Sequence, residues 1–472
     1  MTEKDAMSSA SGLGAETGGP QNTKTETPQQ YQPPDVDPES EPSSDEESRR
    51  PSAAFDERVS NEPLPDIGKY PDGGWRAWLV VAGAACGLFT SFGWTNLSAG
   101  SGVFQAYYQS HQLSEYSPST VAWIPALMGS MIYISGPIVG RVFDNYGPRH
   151  ILLLGSFMHV FGIMMASVST QYYQIVLSQG ICSPIGSSMI LYPCFSCVAT
   201  WFQKRRAVAM GIVAAGSSLA GVILPIMVER LMPTIRFGWT MRCCAFMFLG
   251  LLVVVNLTVR SRIPPHPRGF ALLSFVTPFR DPEFVLTAAA SLFFSMGIFV
   301  VITFLIAYGS SIGMRPIMAS ALASVFNAGS ALGRVSMGWA ADRCGNFNLS
   351  LTAAALTGVM VLGVWLPTRG EAAAFVFAAL FGYNSGAFTS LTPAIVAQIS
   401  DIHEVGSRTG SMNIFVAVAS LAGGPIGGAL VSADGGDYYK LQAFTAAMLF
   451  AGCGFYTAAR MHLSSWKLWA KI

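Results

Sequence analysis

The sequence predicts an all-α membrane protein, with twelve transmembrane helices in two six-helix halves behind a disordered N-terminal tail. Three observations carry that prediction. The 472 residues are 51% hydrophobic and only 12% charged, with a mean hydropathy of +0.42, whereas soluble domains carry about twice that share of charge. Continuous apolar runs of about 20 residues, the length that crosses a bilayer as a helix, recur along the chain. A pattern G-x-x-x-D-x-x-G occurs twice, from Gly140 to Gly147 and from Gly338 to Gly345, each time directly after such a run. Its offset is close to half of the embedded chain, which is the mark of a duplicated bundle.

Residues 1–66 hold 15 of the 27 Asp and Glu but only 5 of the 28 Lys and Arg, and Pro, Ser, Glu and Gln dominate them. Such a segment cannot bury enough apolar surface to offset its chain entropy, so a disordered acidic tail is expected. No apolar run lies near Met1, so no cleaved secretory signal is expected and the first span must direct insertion. Spans are expected near 77–106, 119–140, 150–169, 173–199, 207–230 and 238–259, giving an N-terminal bundle over 77–259. A linker over 260–282, with Ile263-Pro-Pro-His-Pro-Arg-Gly at its centre, should act as a tether. The second six fall near 283–308, 316–340, 348–367, 373–399, 409–431 and 440–462, giving a C-terminal bundle over 283–462 and a short C-terminus over 463–472. The runs are continuous and do not alternate, which favours helices over a barrel.

Lys and Arg in short loops set orientation. With both termini cytoplasmic, sixteen of them fall on the inner side and six on the outer side. Both termini are therefore expected inside, in the cell membrane, since no retrieval signal is evident. The lipid bilayer is the obligatory partner, nucleic acid is not an expected one, and one twelve-helix bundle can function as a monomer. Seven of the eight cysteines sit in apolar stretches, so free thiols are expected. Cys194-x-x-Cys197 has a metal or redox spacing but lies inside a span with no second pair nearby, and zinc needs about four ligands; it reads as packing. No metal and no cofactor are expected. The chain has no HExxH, no phosphate loop and no evident Ser/His/Asp set, so neither an enzyme nor an ATP-driven pump is expected.

The repeated loop has a physical use. An Asp at a helix end can pair with Arg or sit at the N-terminus of the next helix, and the glycines permit the tight turn between them. Asp144 with Arg141 or Arg149, and Asp342 with Arg343, are expected to latch helices in one conformational state, a gating role. A plain cytoplasmic turn is the bland reading, and two copies in register weigh against it. Arg334 is the only full charge placed deep inside a span. A buried cation in lipid faces a cavity or a partner by default; the bland reading is snorkelling, with the inner helix end about 9 Å away. Four residues before Gly140 stands Gly136, so the loop pattern itself does not require an arginine. His159 could carry a proton at physiological pH, and Gly211, Ala215, Gly216 and Ala220 give two small-residue pairs for close helix approach.

Pro71-Asp72-Gly73-Gly74-Trp75-Arg76-Ala77-Trp78, the stretch from Trp201 to Gly216 with Lys204-Arg205-Arg206, Gly386-Ala-Phe-Thr-Ser-Leu-Thr-Pro393 and Gly424-Pro-Ile-Gly-Gly428 together resemble the major facilitator superfamily. Within it the likeness is to the monocarboxylate porter family, especially its fungal members, over about residues 70–462. That resemblance implies alternating access and a central cavity. It implies that Arg334, in Arg334-Val335-Ser336-Met337-Gly338, matches a helix-eight arginine used for an anionic substrate, for which a guanidinium is suited by two parallel hydrogen bonds. Helix three is peripheral by the same resemblance, which makes His159 structural. Trp94, Asn96, Tyr192, Asn327, Asn384 and Asn413 lie on helices expected to line the cavity, alongside Ser196 and Ser385. Two departures stand out: Ser330 replaces the helix-eight aspartate of proton-coupled lactate carriers, and their helix-one lysine falls near Ala99. No acid outside the tail is expected deep within a span, so a proton is only a candidate coupling ion.

The expected function is transport of a small organic solute, a monocarboxylate or related metabolite, by alternating access. The alternatives are efflux of a fungal secondary metabolite and, from another class, a non-transporting nutrient sensor on the same scaffold.

Overall fold

The computed structural model describes residues 70–100, 102–265, 276–367, 369–467 and 471. The acidic tail, the middle of the linker and part of the C-terminus lie outside the described residues. Apolar runs in lipid must satisfy their backbone internally, so each folds as a helix. In chain order these are α1 (Trp75–Gly100), α2 (Ser119–Tyr146), α3 (Pro148–Ala166) and α4 (Tyr172–Trp201). The continuous run Arg206–Thr258 holds two spans, α5 and α6, separated at Arg236, where φ 65° and ψ 162° leave the helical region. The second half comprises α7 (Pro282–Ser311), α8 (Pro316–Cys344), α9 (Asn346–Trp365), α10 (Glu371–Gln398), α11 (Val405–Ala433) and α12 (Tyr439–Leu463).

Helix ends follow local chemistry. Proline opens α3, α7 and α8, where a missing N–H costs nothing. The last glycine of each repeated pattern makes the turn into the next helix, Gly147 at φ 77° and Gly345 at φ 99°. The first span differs from the expected 77–106: α1 ends at Gly100, and a separate helix, Val103–Ser110, starts after Gly102, whose φ of 63° is left-handed.

Each half has its own apolar core. Leu88, Trp94, Ile190 and Phe248 belong to the first, and Phe294, Trp365, Phe377 and Leu449 to the second. The halves meet chiefly where α8 packs on α5 and α11 packs on α2. Both crossings need glycine: a Cβ at Gly211 would collide with the Arg334 carbonyl, and one at Gly140 with the Gly406 backbone. The second small-residue pair of α5 serves another neighbour, since Gly216 abuts Ala85 of α1.

The two signature stretches turn out to be parts of one contact. Asp72 Oδ1 accepts hydrogen bonds from the Gln203 and Lys204 amides, both at 2.6 Å, and the Trp78 ring packs on Phe202 at 5.1 Å. The segment before α1 thereby caps the loop between α4 and α5.

His159 is fully enclosed and ties four helices. Its Nε2 meets the Thr90 carbonyl of α1 at 3.0 Å, and its Nδ1 meets the hydroxyls of Ser183 and Ser187 of α4 at 3.0 and 2.9 Å. The ring stacks on Phe248 of α6 at 5.7 Å. Truncating it opens a void and strands these partners, so His159→Ala should cost about 2–5 kcal/mol. The expected result is a lower melting temperature of the purified protein with an unchanged pH profile of transport; a shifted pH profile would instead give His159 a part in proton movement.

Candidate functional site

A cavity of about 920 Å³ lies between the halves. Helical periodicity explains which residues reach it, because positions three and four apart share a face. On α7 these are Ser295, Phe299 and Ile302; on α8, Asn327, Ser330 and Arg334; on α10, Ser385, Thr389 and Thr392; and on α11, Thr409, Asn413 and Val416. The first half supplies Phe92 and Asn96 from α1, Tyr133 from α2, and Leu191, Tyr192 and Phe195 from α4. Among the described residues the wall is largely aromatic and aliphatic, with scattered hydroxyls and amides, one guanidinium and no carboxylate.

Six of the side chains singled out in the sequence meet here: Arg334, Asn96, Tyr192, Asn327, Ser385 and Asn413. Three do not, among them Ser196, which is buried away from the cavity. Trp94 lies two residues before Asn96, about 200° around the helix, and is buried against Phe104 and Phe248, with ring centroids at 5.2 and 5.5 Å. Asn384 is one residue off the Ser385 stripe and donates to its own helix, at the Leu380 carbonyl, at 2.8 Å. Asn413 Nδ2 donates to Tyr192 Oη at 3.1 Å, joining α11 to α4 across the cavity.

Arg334 is 4% exposed. Its Nη1 donates to the Ala214 carbonyl and to Ser217 Oγ, both at 2.5 Å, on α5 of the other half. Nε has no hydrogen-bond partner among the described residues. The side chain thus reaches sideways across the interface and does not climb toward the membrane surface as snorkelling requires. Gly136, at the matching position of the first half, has no room for a side chain, because a Cβ there would collide with Tyr192 Oη.

At the end of the bundle where α1 begins and α12 finishes, the repeated aspartates form two matching joints. Asp144 accepts hydrogen bonds from the Gly406 and Ser407 amides at 3.0 and 2.7 Å, at the start of α11. Asp342 accepts from the Ala207 and Val208 amides at 2.9 and 3.0 Å, at the start of α5. Each carboxylate satisfies helix-start donors and faces the positive end of the helix dipole. The second helix of each half therefore caps the fifth helix of the other. Arg206 adds a further cross-half bond, from Nη1 to the Ala397 carbonyl at 2.9 Å.

The arginines expected beside these aspartates play smaller parts. Arg141 is buried three residues before Asp144 and interacts with it electrostatically. Arg149 is exposed, and no bond joins it to Asp144. Arg343 stacks over the Trp339 ring at 3.7 Å and does not pair with Asp342. Backbone amides at a helix start take two hydrogen bonds in fixed geometry, which an exposed guanidinium on the same loop does not match. Sequence reasoning missed these amide partners, as it missed Ser217, Ala214 and Tyr133. The signal that could have found the first was the repeat itself: Gly406-Ser407 opens the fifth helix of the second half as Ala207-Val208 opens that of the first.

Two six-helix halves around a shared central cavity, with reciprocal joints at one end, define a membrane carrier of the secondary-transporter class. The Major Facilitator Superfamily model matches residues 83–319 and 287–467. The chain belongs to that superfamily, and is a multi-pass membrane transporter and not an enzyme. It is 53% identical to an MFS-type transporter of Gibberella moniliformis, over 87% of this chain and 96% of that one. It is 40% identical to a fujikurins efflux protein of Gibberella fujikuroi, over 87% and 88% of the two chains, and 37% identical to an aspyridones efflux protein of Emericella nidulans, over 84% and 80%. Among solved structures, that of the human organic anion transporter MFSD10 shares the fold, with a TM-score of 0.62 at 14% identity over 82% of this chain and 99% of that one.

Proposed function

We propose that the protein exports an acidic, largely apolar secondary metabolite by alternating access, with Arg334 taking the anionic group. The observation that carries this is a buried guanidinium on the wall of a cavity that has no carboxylate among the described residues. An unbalanced buried cation favours an anion entering beside it, and the aromatic walls suit an extended organic body. Relatives at 40% and 37% identity whose names specify efflux of fujikurins and of aspyridones favour export over uptake. The likeness to monocarboxylate porters supports an acidic head group, and a wall of aromatic and aliphatic side chains drawn from seven helices suits a solute with an extended apolar body.

In this reading both termini are cytoplasmic, on the strength of the Lys and Arg bias. Asp144 and Asp342, helped by Arg141, then hold the cytoplasmic end closed and must release α11 and α5 for the solute to enter. Arg149, in the first turn of α3, and Arg343, in the last turn of α8, set the surface charge beside these joints. Substrate contact is assigned to Asn96, Tyr192, Asn327 and Asn413 beside Arg334. With no carboxylate on the cavity wall among the described residues, coupling to a proton would have to work through another group.

The test is a comparison of acidic metabolites in medium and in cell extract, from cells lacking the gene and cells in which it is restored. At least one acid should move from cells to medium on restoration; an acid moving the other way would assign uptake. Removing residues 1–66 should leave export per molecule at the membrane unchanged. Loss of a transcriptional response with no change in any flux would favour the sensor reading instead.

A further inference from the structure

A second, smaller cavity of about 390 Å³ adjoins the first. Asn96, Ile302, Phe326 and Asn327 line both, so they form the boundary between them. The smaller one continues to Gly221 and Pro225, farther along α5 than the Ala214 and Ser217 that hold Arg334, and to Ala323 of α8. It therefore leads away from the end joined by Asp144 and Asp342.

The two amides at this boundary are set apart by position, since both line both cavities. Asn327 donates its Nδ2 to the Ala323 carbonyl at 2.9 Å, just as Asn384 donates to the Leu380 carbonyl at 2.8 Å, but Asn384 does not reach the cavity, whereas Asn327 Oδ1 faces it with no hydrogen bond among the described residues. Asn96 is half-buried on both cavities, and no hydrogen bond engages its side chain among the described residues. An intramembrane amide kept without a protein partner is suited to a polar group that arrives with the solute. Gly221 makes the arrangement possible: a Cβ there would fall 2.5 Å from Asn327 Cγ and Oδ1, so any larger residue would displace the carboxamide. Asn327 and Arg334 are seven residues apart on α8, two turns on one face, about 10 Å along the axis.

We propose that Asn96 and Asn327, with Gly221 setting the position of Asn327, form a second polar subsite at the mouth of the Arg334 chamber. The preferred solute then carries an acidic group at one end and a neutral hydrogen-bonding group, a carbonyl or hydroxyl, about 10 Å away across an apolar body. Specificity arises because a site built to hydrogen-bond a polar group is left with unmatched amides by an analogue that lacks it. This rests on Arg334 taking the acidic end.

The experiment measures equilibrium binding of two radiolabelled probes to the purified full-length protein. The probes are 4-(4-acetylphenyl)butanoate and 4-(4-ethylphenyl)butanoate, alike in shape and different in one carbonyl. Wild type should bind the acetyl probe about tenfold more tightly, a ratio within reach of one or two hydrogen bonds. Asn96→Leu should remove that preference, bringing the ratio of the two probes to about one, and Gly221→Ala should reduce it. Arg334→Gln should weaken both probes equally and preserve the ratio. Equal binding of the probes by wild type overturns the subsite, and so does an unchanged ratio in Asn96→Leu. The wild-type ratio settles this even where a variant fails to fold. Failure of the underlying reading looks different: wild type binds neither probe, or Arg334→Gln binds both as wild type does.

Discussion

Arg334→Ala is expected to lower export of an acidic solute by about 100- to 1000-fold. Two charge-assisted hydrogen bonds from a guanidinium to a carboxylate contribute about 3–4 kcal/mol together, and the substitution also removes the bonds to Ala214 and Ser217 that tie α8 to α5. Arg334→Lys separates these losses. It keeps the charge but not the planar fork, so it should recover part of the transport, with a larger defect in apparent affinity than in turnover. Radiolabelled efflux from loaded cells at several solute concentrations makes the distinction. If the alanine variant moved an acidic solute as fast as wild type, Arg334 would be a structural tie between the halves and the anion site would lie elsewhere.

The second large effect concerns the joints. A carboxylate cap at a helix start contributes about 1–2 kcal/mol, and the helix dipole adds to it. Asp144→Ala and Asp342→Ala should each favour separation of the halves at that end by about tenfold, and together by about 100-fold. Ser385→Cys, a position on the cavity wall, provides the reporter. Its labelling by a membrane-impermeant maleimide applied from the side of the termini should accelerate in the single variants and more in the double one, while labelling from the opposite side slows. Unchanged labelling in the double variant would leave the capping bonds as local turn chemistry. Comparable effects of the two single substitutions are expected, because the two caps use the same two amides of equivalent helices.

Much of the fold was legible because lipid leaves few choices. A 20-residue apolar run must become a helix, and a duplicated loop with glycine at its turn marks the start of the third helix in each half. Gly147 and Gly345 do adopt the positive φ that the pattern calls for. The cavity was legible only in part. Apolarity all round a buried helix hides which face looks inward, and one residue of rotation moves a side chain by about 100°. That is why Asn384 was grouped with Ser385, and Trp94 with Asn96, although only the second member of each pair reaches the cavity. The joints were half visible: the aspartates announce themselves by repetition, but their partners are backbone amides, which leave no trace in residue type. Arg334 stood out because a charge in a span is rare, whereas Ser217 and Ala214 could be found only by packing α8 against α5.

The most direct measurement of the central claim is efflux from proteoliposomes containing wild-type protein, loaded with an acidic metabolite that the cells export or with its methyl ester, each corrected for protein-free vesicles. The account predicts that the acid leaves at least about tenfold faster than the ester, since only the acid can take both bonds from Arg334. An ester that leaves as fast as the acid would contradict it and would make the carrier one for neutral solutes, held by the aromatic walls and the amides.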